Sequence, residues 1–143
     1  MPKLIPYFQV NHTKNCLVLK QIFFWAAIFW TGIIAFFCLV QLNNVPFTSV
    51  SNLDKLVHVF FHFVFTLLWF LFFQKHLRRV NSLKPLVIIS LLLSFVFGIS
   101  IELLQELFTT TRHADVFDVL ANLCGATLAT IVIFFLNKGL RIS

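Results

Sequence analysis

Acidic side chains are scarce in this chain: five of its 143 residues are aspartate or glutamate. Charged residues of both signs make up 11%, against about 25% in ordinary globular domains. With 59% hydrophobic residues and a mean hydropathy of +0.94, a soluble core of this size could not hide the apolar surface. That excludes a soluble domain and makes the chain an integral membrane protein. Cysteine is sparse too. Cys16, Cys38 and Cys124 stand at spacings that match no metal motif. Membrane cysteines are usually packing residues, although a Cys38–Cys124 disulfide stays open because both fall in expected outer halves of helices. There is no internal repeat, no low-complexity tract, no H-E-x-x-H and no cofactor motif, and no cofactor is expected. The first apolar run is too long for a signal h-region and has no small-x-small cleavage site after it.

Four long apolar segments fill almost the whole length. They cover residues 21–42, 54–74, 85–108 and 116–136, and about 20 apolar residues suffice to cross a hydrocarbon core of about 30 Å. One four-helix domain over 20–137 follows, with a basic lead at 1–19 and a short basic tail at 138–143. Ser51 or Asn52 is placed to cap the second helix, and Pro85 suits the first turn of the third. Asn137, Lys138 and Gly139 are read as the end of the fourth. The fold class is all-α, a bundle of four transmembrane helices.

The net charge of +6 invites a nucleic-acid reading, but the basic residues sit in loops beside apolar spans, which is a topological pattern. No nucleic-acid partner is expected. With both termini cytoplasmic, nine lysines and arginines lie inside and two, Lys55 and Arg112, lie outside. All five carboxylates then fall at or near the extracytoplasmic ends of helices two, three and four.

Those carboxylates belong to stripes. Asp54, His58 and His62 recur every four residues on the second helix, so they share one face. Ser94, Gly98, Glu102 and Glu106 do the same on the third, with Gln105 adjacent. Asp115, Asp118, Asn122, Gly125 and Ala129 follow in steps of three or four on the fourth. Ionisable groups in a membrane should face the bundle interior, so the three stripes are expected to converge. Some members have plainer readings. Lys55 is read as a snorkelling interfacial lysine, Glu106 and His113 as solvated loop-edge residues, and Gly125, with Ala121 and Ala129, as a small-residue packing face. Asp118 and Glu102 resist such readings, since each falls inside its helix.

The string D-K-L-V-H at Asp54 to His58, the E-x-x-Q of Glu102 and Gln105, and the R-x-x-D-x-x-D-x-x-x-N-x-x-G of Arg112, Asp115, Asp118, Asn122 and Gly125 occur in order on successive helices. Together they resemble the VanZ-like family of small membrane proteins, over about residues 20 to 136. The resemblance implies a multi-pass protein of the bacterial cytoplasmic membrane and a link to teicoplanin resistance; it supplies an envelope context rather than a reaction. Two departures stand out. Thr109, Thr110 and Thr111 precede the arginine where relatives often have a Pro or Gly turn, and His62 stands where many carry an aromatic residue such as Tyr.

Five acids against Lys55 and Arg112 leave an uncompensated negative cluster, which is costly when partly buried. Protonation, a cation or an amine-bearing ligand would relieve it. In the reading adopted, Asp118 or Glu102 serves as general acid or base, His58 as its partner and Arg112 as an anion clamp. Asp54, Lys55, Gln105, Asp115 and Asn122 complete the binding set. The ligand would be an envelope lipid or a lipid-linked cell-wall precursor. The alternatives are a metal held by His58, His62 and Asp54 with a helix-four acid, and a non-catalytic interaction protein whose polar cluster is structural. A transport role would need a homo-oligomer, since four helices without internal symmetry make a poor pathway.

Overall fold

A computed structural model of the protein describes residues 7–39, 51–77, 82–108 and 115–142, and the side chains of these apart from 7–16, 51–52 and 138–142. The described residues form four α-helices: α1 (Tyr7–Leu39), α2 (Ser51–His76), α3 (Leu83–Phe108) and α4 (Val116–Ile142). Each contains a segment long and apolar enough to span a bilayer: Leu17–Leu39, Leu53–His76, Leu83–Phe108 and Val116–Asn137. The all-helical four-span architecture matches the expectation.

The helices run past the expected ends for readable reasons. Residues 7–16 contain no Pro or Gly, so the polar lead continues α1 instead of breaking it. Gly139 lies inside α4 without a left-handed backbone; glycine costs a helix interior about 1 kcal/mol and does not by itself end it. Pro85 is the third residue of α3, where its missing N–H costs nothing.

α2 and α3 form the central pair. Each touches the other three helices, while α1 and α4 flank the pair and do not meet among the described residues. The described hydroxyls on the spans mostly turn back on their own helix. Thr31, Thr66, Ser90, Ser100, Thr127 and Thr130 each donate to the carbonyl four residues earlier, at 2.7–3.0 Å. Hydrocarbon offers such groups no water, so this internal satisfaction is what lets them sit in a span.

The buried face of α3 sets the vertical order of the core. It reads Leu86, Val87, Ser90, Ser94, Gly98, Ile101, Glu102 and Gln105. At its start Leu86 and Val87 join Phe70 of α2 and Ile133 of α4 in an apolar cluster. Beside α1, Ile101 packs with Ile34, Cys38 and Phe65. At its end the face turns ionisable. Outward-facing Trp25, Phe29, Phe60, Leu107 and Phe135 are more than half exposed and present the apolar surface lipid requires.

Candidate functional site

The polar residues converge where α4 crosses α2. The crossing is tight because Gly125 packs directly on the α2 backbone: a Cβ there would collide with the carbonyl of Val59. The small-residue reading of Gly125 therefore holds in the geometry, and it has a consequence. Bringing the two backbones together seats the side chains one and two turns above Gly125, Asn122 and Asp118, against the Asp54–His58 stripe.

Asp115 builds the start of α4. Its side-chain Oδ1 accepts the Phe117 amide at 2.9 Å, and its carbonyl accepts the amides of Asp118 at 3.0 Å and Val119 at 3.3 Å. It is thus the N-cap, satisfying amides that a first turn leaves free. The same carboxylate takes the Lys55 ammonium on Oδ2 at 3.1 Å, and Lys55 also reaches Asp118 Oδ1 at 3.3 Å. The Phe117 ring lies 5.6 Å from that ammonium. Lys55 is therefore an ion-pair partner linking α2 to α4, not only a snorkelling side chain. The Phe117 amide and then Lys55 hold the Asp115 carboxyl below its ordinary value of 3.8.

Beneath this rim the cluster is buried. His58, Glu102, Asp118 and Asn122 are all more than 90% buried. The His58 Nδ1 lies 3.1 Å from Asn122 Oδ1 and 3.8 Å from Glu102 Oε1. Both Glu102 oxygens and the Asn122 Nδ2 are buried without a hydrogen-bond partner among the described residues. Asp54 is exposed at the mouth, and one of its oxygens lies within 4.8 Å of ligand atoms of His58 and Asp118. An acid, a histidine and a second acid from three helices thus meet in one buried cluster at one end of the bundle.

Other expected members stand apart. His62 is buried and bound through Nδ1 to Ser94 Oγ at 2.8 Å, a turn deeper than His58. Gln105 donates to the Cys38 carbonyl near the end of described α1 at 2.9 Å. Its placed contact serves the α1–α3 joint, which no local signal announced because the partner is backbone. Glu106 is exposed. Arg112 and His113 lie outside the described residues. Cys38 is buried and Cys124 exposed, and no disulfide joins them, so the open pairing is not formed.

These features define a four-span membrane protein with a buried acid–histidine–amide cluster at one end of its bundle. The VanZ/LLP1 family model matches residues 13–137, most of the chain. The chain belongs to that family. It is also similar, at 35% identity over 98 residues, to an uncharacterised protein of Schizosaccharomyces pombe. That match takes in 68% of this chain and 56% of the yeast protein, so the shared region is little more than half of that relative. No solved structure matches.

Proposed function

We propose that this protein binds an amphiphile at one membrane face, with the headgroup entering the cluster of His58, Glu102, Asp118 and Asn122. The ligand class is an envelope lipid or a lipid-linked cell-wall precursor. The observation that carries the reading is the Glu102 carboxyl, buried with no side-chain donor on either oxygen and only the Asp115 backbone amide approaching it. A protein leaves a buried acceptor unsatisfied only at a cost of about 1–3 kcal/mol, and a headgroup hydroxyl or amine would supply the donor. Asp118 and Glu102 are the acid–base candidates, with His58 between them. Lys55, together with Arg112, offers positive charge for a phosphate.

The asymmetry of basic residues, nine against two, supports an extracytoplasmic position for the cluster and cytoplasmic termini. In a bacterium this is the outer face of the cytoplasmic membrane, and teicoplanin resistance is the phenotype to examine. A fission yeast makes no bacterial wall precursor, so the yeast relative weighs toward a membrane lipid as the more general ligand.

The test is native mass spectrometry of the purified protein beside complementation under glycopeptide and other envelope stress. Wild type should carry a lipid class that Asp118→Asn and Glu102→Gln lose at equal membrane levels. Identical lipid content and full protection in both variants would sink the reading. For the topology, a cysteine at Ser49 should react with an impermeant thiol reagent on intact cells. Reaction at a cysteine replacing Asn81 instead would invert it.

A second reading has its own support. Lys55, His58, His62 and Gln105 all find partners within the chain, as a structural network in a scaffold protein would. In that case Asp118→Asn would lower membrane accumulation rather than activity.

A further inference from the structure

We propose that the buried side of the cluster reads a hydroxyl, so that the amphiphile it takes carries a polyol headgroup, a glycerol, inositol or sugar, in preference to an amine. The inference rests on the proposed function and narrows its ligand class. Two buried groups carry it. Asn122, 2% exposed, has an amide nitrogen, Nδ2, without a hydrogen-bond partner among the described residues. Glu102, 3% exposed, has no side-chain donor on either oxygen. The first is a donor that lacks an acceptor, and the second is an acceptor with room for a donor.

Their placement follows from how the helices meet. Asn122 Oδ1 lies 3.1 Å from His58 Nδ1, and Glu102 Oε1 lies 3.8 Å from the same nitrogen. A carboxyl beside that nitrogen favours a proton on it, so the ring donates to the amide oxygen and the amide nitrogen is left over. Nδ2 turns toward α3 at Gly98, where a Cβ would come within 3.0 Å of it. Glu102 stands on the same face one turn further along, and side chains on a helix lean back toward its start. Four residues rise about 6 Å. Two hydrogen bonds through one oxygen, at about 2.8 Å each, span nearly that, and two neighbouring hydroxyls span more.

The unmatched pair discriminates among headgroups. An ammonium only donates. It would suit Glu102 but set its hydrogens against those of Asn122. A phosphodiester has no proton to give and would meet Glu102 acceptor to acceptor. Lys55, the lysine of this end, is held at the rim by Asp115 and Asp118, so a phosphate belongs at the rim as well. A hydroxyl donates one proton and accepts on two lone pairs. It answers both groups and brings no charge into the buried level.

Delipidated full-length protein in detergent is titrated with single lipids of identical dioleoyl chains, and bound lipid is counted by native mass spectrometry. Phosphatidylglycerol and phosphatidylmethanol carry the same charge and differ in the hydroxyls, while phosphatidylethanolamine supplies the amine. Phosphatidylglycerol should bind about ten- to hundredfold more tightly than either, the range expected when a buried polar group is left unmatched. Asn122→Asp keeps an oxygen toward His58 and loses the donor, so it should erase the difference between the two anionic lipids. Equal affinities of wild type for those two, or tighter binding of phosphatidylethanolamine, would overturn the inference and leave amphiphile binding standing. Saturable binding of none of the three would overturn it along with the membrane-lipid form of the proposed function. A preference that survives in Asn122→Asp would place the selection elsewhere and overturn it too. Should that variant fail to accumulate, the wild-type lipid series decides.

Discussion

The two ends of the bundle solve the same packing problem with opposite chemistry. At one end Phe70, Leu86, Val87 and Ile133 from α2, α3 and α4 pack as an ordinary apolar cluster. At the other, the same three helices bury His58, Glu102, Asp118 and Asn122. The face of α3 that supplies both ends keeps a four-residue register from Leu86 through Ser90, Ser94 and Gly98 to Glu102. Since Leu86 shows that this register packs without polar groups, packing alone does not account for Glu102. Buried ionisable groups in a membrane are expensive, and their usual justification is functional. The difference between the ends therefore supports placing the proposed function at the polar end more firmly than either end does alone.

Substitutions can break that comparison. The largest effect should come from Gly125→Leu, because any Cβ at this position meets the α2 backbone at Val59, which cannot rotate aside. The α2–α4 crossing would open, and little folded protein should reach the membrane fraction. Normal accumulation would mean that the polar cluster forms without the crossing.

The next pair sets the ends against each other. Leu86→Ala leaves a cavity in the apolar cluster and should cost about 2–5 kcal/mol. Glu102→Met replaces an unsatisfied buried carboxyl with an apolar side chain of similar length and should raise stability by about 1–3 kcal/mol while ending ligand binding. Thermal unfolding in detergent reads both. A Glu102→Met protein less stable than wild type would mean that the carboxyl has a structural partner, and the functional argument from the two ends would lose its main support.

The fold was legible because bilayer thickness imposes a length on each span, and the four apolar runs show it. The convergence of the stripes was legible because ionisable residues at a four-residue spacing have one face to share, and only the interior accepts it. What the sequence withheld were contacts that depend on how helices meet. Nothing local distinguishes a snorkelling Lys55 from one that reaches two aspartates on another helix. Asp115 as a cap was visible in its place just before an apolar run, but its second bond to Lys55 was not. Gln105 and the Cys38 carbonyl are far apart in sequence, and a backbone acceptor leaves no mark in composition. His62 shares the stripe of His58 yet separates from it in space, because one turn of depth carries it to Ser94.

Gly98→Ala tests the seam between the ends more gently. A Cβ there would lie 3.0 Å from Asn122 Nδ2 and 3.1 Å from His62 Cε1, both on side chains that can yield. Stability should fall far less than with any Gly125 substitution. Because Asn122 contacts His58, ligand affinity should change more than the melting temperature does. A melting loss as large as that of Leu86→Ala would show that the seam is as rigid as the crossing.

The smallest effect belongs to the rim. The Phe117 amide and Lys55 depress the Asp115 carboxyl below its ordinary value, so the folded protein holds the ionised form more tightly than the unfolded chain does. The stabilisation this gives is complete above the unfolded value near 4 and is lost as pH falls through the lower folded value. Wild type should therefore show a melting temperature that declines on acidification below about pH 4. Asp115→Asn keeps an amide oxygen for the cap but has no charge to lose, so its decline over the same range should be shallower. Because Asp115 is partly exposed and its ion pair is screened by water and salt, the difference should be small and should shrink as salt is added. Parallel acid profiles for the two proteins at low salt would make Asp115 a cap alone and place the acid sensitivity elsewhere in the chain.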